Sequence, residues 1–204
     1  MYKRQLQWLG GIGIVVIAVS ILPMIGVGGM QIYKAETPGP IKDTKLTPRI
    51  AETANALFKI YVFLTVVCAI AYWVAGMSWF DALSHSFSTI SIGGFSTYDE
   101  SLGHFDNNAV LTIASIFMVV SGLNFALHYT AWHARSIKSY ISDPEARLFV
   151  LVILFGILVT TYFLYTTASM PNEEILFVGV FQLISILTTT GFTTTEFHLW
   201  PSFL

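Results

Sequence analysis

Long apolar stretches divided by short polar ones set the pattern of this chain. Residues 9–30, 54–76, 108–132 and 148–168 form four such runs. A helix needs about 20 apolar residues to cross the hydrocarbon core of a bilayer. The pattern therefore predicts an all-α integral membrane protein with about four spans. Two further apolar stretches, 79–90 and 173–187, are too short to cross; the first would be only about 18 Å long at 1.5 Å per residue. Each runs into a hydroxyl-rich segment centred on glycine: Ser88-Thr89-Ile90-Ser91-Ile92-Gly93-Gly94-Phe95-Ser96-Thr97 and Ser185-Ile186-Leu187-Thr188-Thr189-Thr190-Gly191-Phe192-Thr193-Thr194.

The two segments are copies. Sliding one by 97 positions superimposes Phe80 on Phe177, Ser88 on Ser185, Gly94 on Gly191, Phe95 on Phe192 and Thr97 on Thr194. Pro48 and Pro144 lie 96 apart, each just before a long apolar run. Local signals place the helix starts. Thr47-Pro48 and Asp143-Pro144-Glu145 read as an N-cap followed by proline at the first helical position. Ser78 with Asp81 three residues later reads as a capped start for the first short helix, and Pro171-Asn172-Glu173-Glu174 opens the second. The unit is thus helix, short re-entrant helix, glycine-centred return, helix.

Composition agrees. Of the 204 residues, 54% are hydrophobic and 11% charged, whereas a soluble domain carries roughly twice that charge. Cys68 is the single cysteine and lies within a span, which excludes a disulfide framework. The formal net charge of −2 gives no sign of a nucleic-acid partner. The first run is glycine-rich (Gly10, Gly11, Gly13, Gly26, Gly28, Gly29) and interrupted by Pro23, a composition suited to close helix packing in lipid with a kink.

Charge sets the orientation. Loops 31–53 and 133–147 share one side and hold Lys34, Lys42, Lys45, Arg49, Arg135, Lys138 and Arg147. Stretches 77–107 and 169–204 contain no Lys or Arg and carry Asp81, Asp99, Glu100, Asp106, Glu173, Glu174 and Glu196. Basic loops stay in the cytoplasm, so both repeated segments are expected outside. Lys3 and Arg4 fall on that outer side against the trend.

Backbone that leaves the helix at membrane depth survives only where protein or a water-filled cavity satisfies its polar groups. Glycine can take positive φ and turn neighbouring carbonyls one way. Carbonyl rows with Ser and Thr hydroxyls can replace the hydration shell of a monovalent cation, and short helices ending there add partial negative charge. Gly94 and Gly191 are the expected turning points, whereas Gly103, in the outer loop, is expected to tolerate a side chain.

Other chemistry is less well supplied. His128 and His133 are five residues apart and do not share a helix face, and the spacing of an intramembrane zinc hydrolase is missing. Ser121-Gly122 with His128 suggests a serine–histidine dyad only faintly, and helix packing accounts for it better. Asn124 is expected to hydrogen-bond across helices or to line a cavity. No enzyme activity is expected.

With Gln7-Trp8-Leu9-Gly10-Gly11-Ile12-Gly13, Leu22-Pro23-Met24-Ile25-Gly26-Val27-Gly28-Gly29-Met30-Gln31 and Gly122-Leu123-Asn124-Phe125-Ala126-Leu127-His128, the repeated loops resemble the Trk, Ktr and HKT superfamily of cation transporters. The likeness is greatest to the Trk-type potassium-uptake membrane subunit. That resemblance implies potassium uptake through a pore of four pseudo-repeats in one polypeptide. It also implies a homodimer in lipid and a cytoplasmic nucleotide-binding regulatory subunit. By motif match it assigns the selectivity filter to Ser91, Ile92, Gly93, Gly94 and Phe95, and to Thr188, Thr189, Thr190, Gly191 and Phe192. K+ is then the transported ion, with no further metal or cofactor in this chain.

Residues 1–30 would be the closing helix of one repeat and 31–53 a cytoplasmic linker. Residues 54–132 would form a complete repeat with pore loop 78–100, 133–147 a second linker, and 148–204 an incomplete repeat with pore loop 173–198. Two loops do not close a fourfold filter, so the chain reads as a fragment of the pore-forming subunit. The alternative is a truncated non-transporting membrane protein with an assembly or regulatory role.

Overall fold

The computed structural model describes residues 2–13, 50–167 and 172–194. Every regular element among them is helical. The chain opens with α1, Tyr2–Trp8, which continues as a π-helical turn over Leu9–Gly13. Then come α2, Ile50–Val74, and α3, Trp79–Ile90. A 3₁₀ turn, Ser101–Phe105, leads into α4, Asn108–Gly122, and α5, Phe125–Ala134. A short α6, Lys138–Ser142, precedes α7, Pro144–Thr167, and α8, Asn172–Leu187. The rest of the expected first span beyond residue 13, the loop containing Thr47-Pro48, Pro171 and the tail after Thr194 lie outside the described residues.

Two helices contain stretches long and apolar enough to cross a bilayer, Ala54–Val74 and Pro144–Thr166. Their two faces differ in partner rather than in polarity. On α2 the stripe Ala54, Leu57, Tyr61, Cys68, Tyr72 is buried, while Phe63, Val66, Ile70 and Trp73 face outward. Both sets follow the three-to-four spacing of a helix face, and both are apolar, as a span packed on one side and lipid-facing on the other requires. Helix α7 behaves likewise, with Ile153 and Leu164 inside and Leu151, Phe155, Leu158 and Tyr162 outside. Its start is as the sequence predicts: Asp143 caps it through Ala146 N–H at 2.8 Å, with Pro144 in the first position.

The expected third span is bent rather than straight. Residues 108–132 do not form one helix; α4 and α5 meet at a 92° bend at Leu123-Asn124. The Asn124 side-chain oxygen accepts the Ala126 N–H at 2.9 Å and starts α5. His128 then ties the bend together, between the Val120 carbonyl at 2.9 Å and the Tyr140 hydroxyl at 2.8 Å. It makes no dyad with Ser121, whose buried hydroxyl has no hydrogen-bond partner among the described residues.

Helix α3 has the predicted bounds and is 12 residues long. Ser78 caps it, accepting Asp81 N–H at 3.1 Å and donating to the Asp81 carboxylate at 2.7 Å. It packs against α2, where the Tyr72 and Thr89 hydroxyls pair at 2.8 Å. Helix α1 lies across both, with Trp8 stacked on Tyr61 at 5.3 Å and its indole N–H donated to Thr65 at 3.0 Å.

Candidate ion-conducting site

Helices α3 and α8 end in the same way. Gly93 N–H reaches the Ser88 carbonyl at 2.8 Å and Ile92 N–H the Thr89 carbonyl at 3.1 Å. At the matching positions Thr190 N–H reaches Ser185 at 2.9 Å and Thr189 N–H reaches Ile186 at 2.9 Å. These nested bonds are a Schellman cap, whose turning residue is left-handed and usually glycine. Here it is Ile92, φ 54°, and Thr189, φ 60°. A β-branched residue at positive φ is a genuine outlier, and the same one occurs in both copies.

Two residues further on, Gly94 and Gly191 are left-handed again, with φ 67° and 85°. Alternating hand along 92–94 and 189–191 lets successive carbonyls face one side. A serine one turn back pins the far end of each segment. Ser88 Oγ accepts Phe95 N–H at 2.7 Å, and Ser185 Oγ donates to the Phe192 carbonyl at 2.7 Å.

The two segments touch. A Cβ on Gly94 would run into the Thr190 carbonyl oxygen and lie 2.9 Å from the Gly191 carbonyl carbon, so glycine is required there by space as well as by φ. A Cβ on Gly191 meets nothing within 4 Å among the described residues. The phenylalanines differ in the same sense: Phe192 is fully buried, near the His85 ring at 6.3 Å, whereas Phe95 is 61% exposed.

Much of α3 is buried and polar, including Asp81, Ser84, His85, Ser86, Ser88 and Thr89. Buried polar groups have to be hydrogen-bonded. His85 lies between the Asp81 carbonyl at 2.8 Å and the Ser96 hydroxyl at 2.9 Å. Asp81 accepts from Thr97 at 3.0 Å and Tyr98 at 3.1 Å in addition to Ser78. Burial alone would raise the Asp81 carboxyl, but those three hydroxyl donors overcome it and hold the group below its ordinary range.

Residues 1–204 match the TrkH family model, described as a cation transport protein. The chain belongs to the TrkH family. It is 53% identical over 203 residues to the Trk system potassium uptake protein TrkH of Halomonas elongata, covering 100% of this chain and 42% of that protein. To the TrkG protein of Escherichia coli K12 it is 40% identical over 201 residues, 98% of this chain and 41% of that one. The crystal structure of the potassium transporter TrkH from Vibrio parahaemolyticus matches with a TM-score of 0.82 at 46% identity, over 99% of this chain and 40% of its own. The chain thus spans about 42% of the length of the curated relatives it matches.

Within this TrkH-family segment the structure brings together Ser91 to Phe95 and Thr188 to Phe192 as two adjoining returns. Several of their hydroxyls are engaged: Ser91 donates to the Ser88 carbonyl at 3.4 Å, and Thr188 donates to the Ile184 carbonyl at 2.7 Å and pairs with Thr190 at 2.8 Å. The Gly103 expectation is overturned, since a Cβ there would lie 2.6 Å from the Thr194 carbonyl oxygen. Sequence reasoning missed the strained Ile92 and Thr189, and it passed over Arg4 and His85. Only His85 left a local trace, a histidine among small polar residues on a short helix.

Proposed function

We propose that this chain is part of the pore-forming subunit of a potassium transporter. Ser91 to Phe95 and Thr188 to Phe192 are two quarters of its selectivity filter, and α3 and α8 are re-entrant pore helices. The observation that carries the reading is the repeated alternation of hand, at Ile92 and Gly94 and again at Thr189 and Gly191. A segment that bears strain twice at matching positions has a use for the carbonyl geometry it produces, and dehydrating a monovalent cation is such a use.

Two open edges support a ring of four. Among the described residues, Gly94 is enclosed by the next copy while Gly191 faces space, and Phe192 is covered by the preceding copy while Phe95 is not. A further repeat on each side would fill both. In this reading the chain has four spans, 54–132 is a whole repeat, 148–204 is most of another, and the basic loops are cytoplasmic in an inner cell membrane. The complete protein is a homodimer gated by a nucleotide-binding cytoplasmic subunit.

The test is rubidium uptake into proteoliposomes holding the complete chain. Potassium should compete and sodium should not. Equal competition by both ions overturns the assignment.

A further inference from the structure

Arg4 and Ser101 are 97 positions apart, the same offset that relates the two filter segments. Arg4 donates through Nη2 to the Ser96 carbonyl and through Nε to the Phe95 carbonyl at 3.4 Å. Ser101 Oγ accepts the Thr193 N–H at 3.1 Å, and Thr193 is the match of Ser96. In both places a residue on one element reaches 92 positions along the chain to the outer end of a later segment. Gly103 N–H adds a bond to the Thr193 carbonyl at 3.3 Å. Two unlike side chains, one cationic and one neutral, thus bridge to matching residues, Arg4 by donating to a carbonyl and Ser101 by accepting from an amide. What they share is position, so charge is not the common factor.

The bridged residues are the ends of the returns. Ser88 and Ser185 fix these from the helix side, and Arg4 and Ser101 fix them from the neighbouring element. Ser101 is itself left-handed, at φ 55°, and buried, which is a costly way to place an ordinary loop serine. Ser96 is held further by His85 and by the Tyr98 N–H at 3.2 Å.

We infer that Arg4 and Ser101 are equivalent positioning residues. Each ties one repeat to the outer rim of the next filter segment and so sets how closely the carbonyls can close on an ion. This rests on the filter reading above. Selectivity between two monovalent cations is a small difference between large solvation terms, so a loosened rim is felt in the ratio of ions before it is felt in folding.

The experiment uses the complete chain in proteoliposomes. Rubidium uptake is competed by potassium or sodium, at low and high ionic strength, for the wild type, Arg4→Met, Ser101→Ala and Lys3→Met. Lys3 is exposed and carries the same charge nearby. Arg4→Met and Ser101→Ala should each lower the potassium preference about tenfold at both ionic strengths, while Lys3→Met leaves it unchanged. Thermal unfolding of the purified variants reports folding separately, and Ser101→Ala keeps the test alive should Arg4→Met fail to fold. If Arg4→Met shifts only the apparent affinity, as Lys3→Met does, and the shift vanishes in salt, charge is the role and the inference fails. Unchanged preference in Ser101→Ala also overturns it. A wild type that does not discriminate would sink the filter reading instead.

Discussion

Ser185 donates its hydroxyl to the Phe192 carbonyl at 2.7 Å, seven residues along the chain. The matching Ser88 makes the opposite bond, accepting from Phe95 N–H at 2.7 Å. The same side chain at the same place in each repeat holds a carbonyl in one and an amide in the other. Alanine at either position strands a backbone group, at a cost of about 1–3 kcal/mol when buried. Ser185→Ala frees a carbonyl to turn, so it should change ion preference more than Ser88→Ala, which frees an amide. Thermal unfolding of the complete protein should register both losses, and competition of rubidium uptake should separate them.

Gly94 and Gly191 share a left-handed backbone but not a neighbourhood. Alanine at Gly191 meets only the conformational penalty, on the order of 1–2 kcal/mol. Alanine at Gly94 also collides with the Thr190 carbonyl oxygen, which is backbone and cannot swing aside. Gly94→Ala should therefore reduce folded yield sharply, while Gly191→Ala folds with reduced selectivity. Gly103→Ser, at 2.6 Å from Thr194, should resemble Gly94→Ala in direction. Detergent-solubilised yield and melting temperature order the three.

Asp81 supplies a pH dependence. Its folded carboxyl is held below the ordinary range by the Ser78, Thr97 and Tyr98 hydroxyls, against burial that would raise it. A depressed folded value means its contribution is fully present above the unfolded pKa, about 4, and is lost as pH falls through the folded one. Melting temperature followed from pH 6 down to 3 should drop less steeply in Asp81→Asn than in the wild type. Parallel curves would show that the three hydroxyls do not act through the charge.

Local signals made the short helices legible. Ser78 with Asp81 announces the short α3, as Asp143 with Pro144 announces the long α7, and apolar length separates spans from short helices. The break at Leu123-Asn124 was hidden because hydropathy sums over residues and ignores one asparagine's side chain, although Ser121-Gly122-Leu123-Asn124 carried the breaker and the cap together. Ile92 and Thr189 were illegible for a different reason: propensity argues against a β-branched residue in the left-handed region, and tertiary packing overrides it. Arg4 was invisible because its partners lie 91 and 92 residues away. Nothing in the residues around it marks that distance.

The last prediction concerns the bent pair. Helix α4 alone has 15 residues, about 22 Å at 1.5 Å per residue, which is short of the roughly 30 Å hydrocarbon core. With the chain turning through 92° into α5, the pair either crosses as a broken span or returns to the side it came from. The charge distribution favours crossing, since Asp99, Glu100 and Asp106 precede the pair and Arg135, Lys138 and Arg147 follow it. Glu100 and Lys138 are both exposed, so cysteine at either disturbs little. In a cysteine-free background of the complete protein that includes Cys68→Ala, Glu100→Cys should react with an impermeant maleimide in whole cells, and Lys138→Cys only after the membrane is opened. Reaction of both in whole cells would make α4 and α5 a hairpin, remove one span from the four, and invert every assignment of side that follows residue 134.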